Sequence, residues 1–157
     1  RLVAATQNKE DSSLPEEVQG MAYVNKDSNY DEWAMSNLRF KGNILAKAST
    51  AVSLEHRNDL RIFGSKGSIY VPSPWLPGGR DAGITSIFIK KTGVSEIEEV
   101  KITSTLGLYS QEIDTVARNI INKQAKEMSW QDSLDNVHTC ELWAKEAGVE
   151  FIQDRMK

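Results

Sequence analysis

The sequence predicts an α+β fold: an open, mainly antiparallel sheet of six or seven strands with helices packed on one face. Three observations predict it. Up to about residue 102 the apolar residues recur with a period near two, and beyond that point the period becomes helical. The strand-like runs are joined by short glycine-containing turns, which connect antiparallel neighbours. Strands first and helices afterwards is the order in which helices gather on one sheet face.

The chain opens on Arg1 and the strand-like Leu2-Val3-Ala4-Ala5-Thr6. A domain entered in mid-strand is expected to be a piece of something longer or a processed product. Residues 8–17 are polar and contain Pro15, which predicts a loop, and residues 18–25 fit a strand. In residues 34–40, Ala34, Ser36, Leu38 and Phe40 fall on one face, and Met35, Asn37 and Arg39 fall on the other. Gly42-Asn43 turns the chain, and Ile44, Ala46, Ala48, Thr50, Val52 and Leu54 continue the alternation opposite Lys47, Ser49 and Ser53. This pair predicts a hairpin with one buried and one more polar face. A second hairpin is predicted from residues 59–63, the turn Gly64-Ser65-Lys66-Gly67 and residues 68–71. Residues 72–83 hold three of the four prolines and read as a long loop; residues 84–90 and 97–102 read as further strands around the Thr92-Gly93 turn.

Two helices follow. In residues 109–123, Ile113, Val116, Ala117, Ile120 and Ile121 form an i, i+3, i+4, i+7, i+8 stripe, with Lys123 and Lys126 near the end that favours cations. The last helix has a readable start, with Ser129 as N-cap and Asp132 three residues on. Leu134, Val137, Cys140, Ala144 and Ala147 are its predicted apolar side, and Gly148 its terminator.

Composition narrows the function classes. The 157 residues fit one domain, and 39% hydrophobic with 26% charged residues is ordinary for a globular chain. The net charge of −3 is well mixed, with no basic stripe to track phosphates, so nucleic acid is not the expected partner. No apolar run approaches a membrane span and no signal-peptide layout is present, so no membrane partner and a cytoplasmic setting are expected. One cysteine, Cys140, and two histidines, His56 and His138, cannot supply the four nitrogen and sulfur ligands of a structural zinc site. Cys140, within a helical pattern, is expected to be a small packing residue. His56 lies in the polar stretch Glu55-His56-Arg57-Asn58 without an identifiable catalytic partner, and reads as a solvated turn residue; His138 reads as a packing or flanking residue. Glu96, Glu98 and Glu99 read as a solvated strand face rather than a metal site.

Gly64-Ser-Lys-Gly67-Ser68 is too short for a phosphate-cradling loop and leads into the β-type residues Ile69, Tyr70 and Val71, so it is expected to be a hairpin turn. No strand–G-x-G-x-x-G–helix fingerprint occurs in the chain. No catalytic, cofactor-binding or metal-ligating residue is therefore assigned. The candidate site residue is Trp75, carried by the stiff loop Pro72-Ser73-Pro74-Trp75-Leu76-Pro77-Gly78-Gly79. Its indole offers a broad apolar surface with a polar handle. The alternative is that Trp75 plugs the edge of the core.

Leu60-Arg-Ile-Phe-Gly64-Ser-Lys-Gly67-Ser-Ile-Tyr-Val71-Pro-Ser-Pro-Trp75 resembles a passage of the Gfo/Idh/MocA oxidoreductases, I-x-G-x-x-G-x-I-x-V followed by a Pro/Trp loop. The preceding hairpin is similar too, as are Tyr109 with Glu112 opening a helix, then Trp130-Gln-Asp-Ser-Leu134, Trp143 and Gly148-Val-Glu-Phe151. The resemblance implies a C-terminal substrate and oligomerisation domain, residues 1–157, lacking the N-terminal Rossmann domain that binds NAD or NADP and carries the family's Glu-Lys-Pro lysine. It also implies a homo-oligomer formed through the open sheet face. The Trp loop and the Gly148-Val-x-Phe151-x-Gln153-Asp154 ending look like the dihydrodiol and sugar dehydrogenase branch, where a tryptophan in the matching loop lies at the substrate pocket; Trp75 would inherit that role. The parent would then act on a sugar-like or cyclic alcohol, and the isolated chain would bind no cofactor and be inactive. The rival expectation is a non-catalytic binding or assembly module using the same fold.

Overall fold

The computed structural model describes residues 14–150. Seven strands precede two helices: β1 (Glu17–Val24), β2 (Asp31–Phe40), β3 (Ile44–Ala51), β4 (Leu60–Gly64), β5 (Gly67–Val71), β6 (Gly83–Lys91), β7 (Ile97–Ser104), α1 (Leu108–Asn119) and α2 (Trp130–Glu146). The α+β class and the strand count match the sequence reading, and every strand pair is antiparallel. The strands form two sheets rather than one, with orders β1-β2-β3 and β4-β5-β6-β7. The break has a local cause. The alternation expected to run on through Val52 and Leu54 stops at Ala51, and both of those side chains are exposed. The polar Glu55-His56-Arg57-Asn58 that follows forms no ladder before Leu60. The chain divides there into two units, described residues 14–56 with 126–150, and residues 57–125. The strand-like residues 2–6 and the residues from Phe151 onward lie outside the described part.

In the first unit, period two separates the faces as expected. Val18, Gly20 and Ala22 on β1, Ala34, Ser36, Leu38 and Phe40 on β2, and Ala46 and Ala48 on β3 are buried or half-buried. Small residues predominate because α2 lies close against them. A Cβ at Gly20 would stand 2.8 Å from both Cδ1 and the carbonyl oxygen of Trp143, so only glycine permits this approach. Trp143 also donates its indole N–H to the Met35 carbonyl at 3.1 Å. On the opposite face Met21, Tyr23, Trp33 and Leu45 are exposed, with the Tyr23 and Trp33 rings stacked at 6.4 Å.

The α2 caps are those expected. Ser129 Oγ accepts from the Asp132 amide while Asp132 accepts from the Ser129 amide, a complete capping box. At the other end Gly148 (φ 70°) donates to Lys145 O and Val149 to Ala144 O, a Schellman ending. The buried side of the helix is rotated from the expected one and keeps only Ala144 and Ala147 of it. Asp135, Thr139, Trp143 and Ala147, spaced by four, turn inward, whereas Leu134, Val137 and Cys140 are exposed. Cys140 is therefore a rim residue rather than a packing one. The Gly20 notch and the Trp143 hydrogen bond orient the helix, and together they override the more apolar stripe.

In the second unit, Leu60, Ile62, Ile69, Val71, Ile87, Ile89, Val100 and Ile102 share one sheet face by register. The predicted α1 stripe forms only in part: the helix ends at Asn119, so Ile120 and Ile121 fall beyond it, and Ile113, Val116, Ile120 and Ile121 are exposed. Periodicity identifies the side of a helix that is suited to packing, not whether something packs there. None of the described helices is long and apolar enough to cross a membrane.

Candidate functional site

Residues 72–82 connect β5 to β6 in the second unit. Pro72, Pro74 and Pro77 each fix a backbone angle, which stiffens the path before any tertiary contact forms. Within the loop the Leu76 carbonyl accepts from the Gly79 amide at 3.1 Å and from Ser73 Oγ at 3.3 Å. Trp75, on this loop, is 72% exposed.

The loop base is closed by backbone. Gly78 lies at φ 75°, and a Cβ on Gly83 would run into the Gly78 carbonyl oxygen. The outgoing end reaches the start of α1. There the N-cap Gly107 has no side chain to cap the helix, and the Leu108 amide donates to the Arg80 carbonyl at 3.2 Å. Gln111 reaches back to Ser104 Oγ at 2.8 Å and to the Leu106 carbonyl at 3.2 Å, which holds the turn into the helix.

A polar and aromatic cluster occupies one face of the β4-β5-β6-β7 sheet. Arg57 and Arg61 both pair with Asp59 Oδ2, at 2.9 and 3.1 Å. The Arg61 guanidinium lies 4.9 Å above the Tyr70 ring, which stacks on Phe88 at 6.0 Å. Partial burial raises the Asp59 pKa, but the Arg61 hydrogen bond and the Arg57 and Arg61 charges outweigh it and hold the carboxyl below its ordinary value. Glu98 and Glu99 of β7 are both exposed but lie on opposite faces by register: Glu98, opposite Ile89, pairs with Lys91 at 3.2 Å, and Glu99, opposite Phe88, accepts from Ser86 at 2.7 Å. Periodicity missed this cluster, because it assembles across strands through register.

Hollows line the described residues of the first unit at two places. One of about 360 Å³ lies on the open sheet face among Glu17, Gln19, Asn37, Arg39, Leu45 and Lys47. The other, of about 140 Å³, lies between β2 and α2, with Ala34, Cys140, Trp143 and Ala147 in its lining. Neither joins a nucleophile to a base. His56 is exposed in the connection before β4, and His138 is exposed with Nδ1 3.9 Å from Glu141. The sequence-assigned Trp75 therefore stands on a built loop, with no catalytic pair assembled beside it among the described residues.

Among the described residues the Gly64–Gly67 turn does not fit a dinucleotide. Such a ligand needs glycine-loop amides at the opening of a helix, whereas the Gly64–Gly67 turn leads directly into β5.

No protein-family model matches the chain, and no curated protein matches it. Among solved structures it is similar to KijD10, a 3-ketoreductase from Actinomadura kijaniata in complex with NADP. The identity is 13% over 76% of this chain and 37% of that one, with a TM-score of 0.64. KijD10 in an open conformation with TDP-benzene and NADP gives 15% identity over 76% of this chain and 36% of that one, with a TM-score of 0.63. YvaA from Bacillus subtilis, classed as an oxidoreductase, gives 12% identity over 94% of this chain and 46% of that one, with a TM-score of 0.61. The chain thus has a fold found within oxidoreductases and spans less than half the length of each of these structures.

Proposed function

We propose that this chain is the C-terminal substrate and oligomerisation domain of a Gfo/Idh/MocA-type oxidoreductase. The parent transfers a hydride between NAD or NADP and a sugar-like or cyclic alcohol. The observation that carries this reading is the likeness to less than half of a 3-ketoreductase chain, over three quarters of this one. The ordered motif set from Leu60 to Trp75 and from Trp130 to Trp143 supports it. Since the Gly64–Gly67 turn does not fit a dinucleotide, the nucleotide and the proton-transfer groups belong to the part of the parent outside this chain. The cofactor supplies the redox chemistry, and this domain supplies a wall of the substrate pocket. Trp75, exposed on its stiff loop, is the residue assigned to that wall.

The test joins the chain to its upstream coding segment and measures NAD(P)-linked oxidation of a panel of polyols and cyclic alcohols. Trp75→Ala is expected to lower kcat/KM about tenfold, the factor that ~1.4 kcal/mol of lost aromatic contact corresponds to. In parallel, calorimetry of the 157-residue chain alone is expected to give no NADP binding. Unchanged activity in Trp75→Ala would remove the pocket assignment, and tight NADP binding by the isolated chain would remove the division of labour.

The rival, a purely assembling module, draws on the exposed Met21, Tyr23, Trp33 and Leu45 of the open sheet face. It predicts no dinucleotide-binding segment upstream. Within the leading reading the same face takes a second copy of the chain.

A further inference from the structure

We infer that the first turn of α1 is a positioning element for Trp75: Gly107 and the Leu108 amide clasp the loop, so Trp75 is presented as a fixed anchor rather than on a closing lid. The functional meaning of this clasp rests on the pocket reading of Trp75, but its geometry does not.

The loop is tied at two places by contacts that leave no room for adjustment. The first tie is the Gly78–Gly83 approach, which draws the loop just after Trp75 and Leu76 against the start of β6 so closely that a side chain on Gly83 has no space. The second lies beyond β7. A Cβ on Gly107 would stand 2.5 Å from both the Arg80 and the Asp81 carbonyl oxygens, inside any real Cβ contact. Gly107 itself is extended (φ −65°, ψ 159°), so glycine is required there for space and not for backbone freedom. That absence of a side chain lets the Arg80 carbonyl reach the Leu108 amide.

The arrangement is reciprocal. A helix start without a side-chain cap leaves its first amides seeking acceptors, and the loop carbonyl supplies one. In return the loop backbone is anchored to the start of the helix. Three prolines and two backbone ties leave Trp75 little conformational freedom to lose on binding, which is the condition for a preorganised aromatic anchor.

Two variants break the second tie in different ways. Gly107→Ala forces the loop away by contact with the two carbonyls. Leu108→Pro removes the amide without adding bulk at Gly107: position 108 is the first helical residue, where proline is tolerated, and Gly107 already has the extended conformation that proline demands of its predecessor. Leu108→Ala, which keeps the amide, controls for the loss of the half-buried leucine side chain. The chain is labelled with 5-fluorotryptophan, giving four fluorine resonances for its four tryptophans, and Trp75→Phe assigns one of them. Both variants are expected to shift the Trp75 resonance while those of Trp33, Trp130 and Trp143 stay in place. Tryptic cleavage after Arg80, followed by mass spectrometry, is expected to speed up about fivefold in Leu108→Pro, the factor for losing one ordinary hydrogen bond from a locally opening segment. A wild-type Trp75 resonance and wild-type cleavage in both variants would overturn the inference. So would movement of all four resonances in Leu108→Pro, since the tie would then hold the whole fold rather than the loop. If Gly107→Ala alone disturbs every resonance, Leu108→Pro decides. Neither readout involves substrate, so failure here is distinct from failure of the Trp75→Ala activity test.

Discussion

Ser36 lies at the centre of the β1-β2-β3 sheet, 2% exposed, and its hydroxyl has no hydrogen-bond partner among the described residues. Gly20 and Ala48 flank it in register, so the row beneath α2 consists of small residues chosen for close approach. A buried, unsatisfied hydroxyl is destabilising, and its removal leaves almost no cavity. Ser36→Ala is accordingly expected to raise the urea midpoint, by a stability gain of about 1 kcal/mol; a loss of stability would mean the hydroxyl is satisfied. Asp59 is the residue whose charge responds to pH in a defined direction. Its pKa is lowered in the folded state, so its contribution to stability is complete above the unfolded value of about 3.9 and is lost as pH falls through the folded value. The stability difference between wild type and Asp59→Asn is expected to be constant from about pH 7 to pH 5 and to shrink below about pH 4. Added salt should reduce it throughout, because the Arg57 and Arg61 side chains are 70% and 48% exposed. A difference that grows on acidification would contradict this assignment.

At the scale of elements, α2 has the best-defined ends in the chain. Its capping box satisfies amides at the N-terminus, and its Gly148 ending satisfies carbonyls at the C-terminus. Ser129→Ala is expected to cost about 1 kcal/mol, read as a lower thermal midpoint; no change would show that the box contributes nothing. These ends were legible because capping is local chemistry, a hydroxyl three residues before a carboxylate and a glycine after the last turn. The rotation of α2 was not legible. Nothing local reveals that Gly20, more than a hundred residues earlier, leaves a notch for Trp143, or that the Met35 carbonyl awaits its indole. The Trp75 loop divides the same way. Its prolines mark it as a stiff aromatic loop, whereas its ties to Gly107 and Leu108 arise only when the start of α1 is brought beside Arg80.

For the whole molecule, the open face of the β1-β2-β3 sheet is the feature with the largest consequence. It exposes Met21 (70%), Leu45 (74%), Tyr23 and Trp33 beside Glu17, Arg39 and Lys47. Exposed apolar surface with a charged margin suits association, and a symmetric pair is the simplest closed arrangement. Sedimentation is expected to show concentration-dependent self-association that Met21→Lys with Leu45→Lys abolishes; a strictly monomeric wild type would count against this face. By itself the sequence determined the α+β class, six or seven strands, the hairpin turns and the caps of α2. It also determined that Trp75 stands on a stiff loop and that no dinucleotide fingerprint is present. All of these depend on neighbours within a few positions, where periodicity, turn chemistry and capping act. Only the tertiary structure decided that the strands divide into two sheets, that α2 buries its Asp135–Trp143 side, that the α1 stripe is exposed and that the Trp75 loop is clasped at Gly107. Each of those depends on distant backbone arriving at one place, and a linear pattern of residues does not encode which surfaces meet.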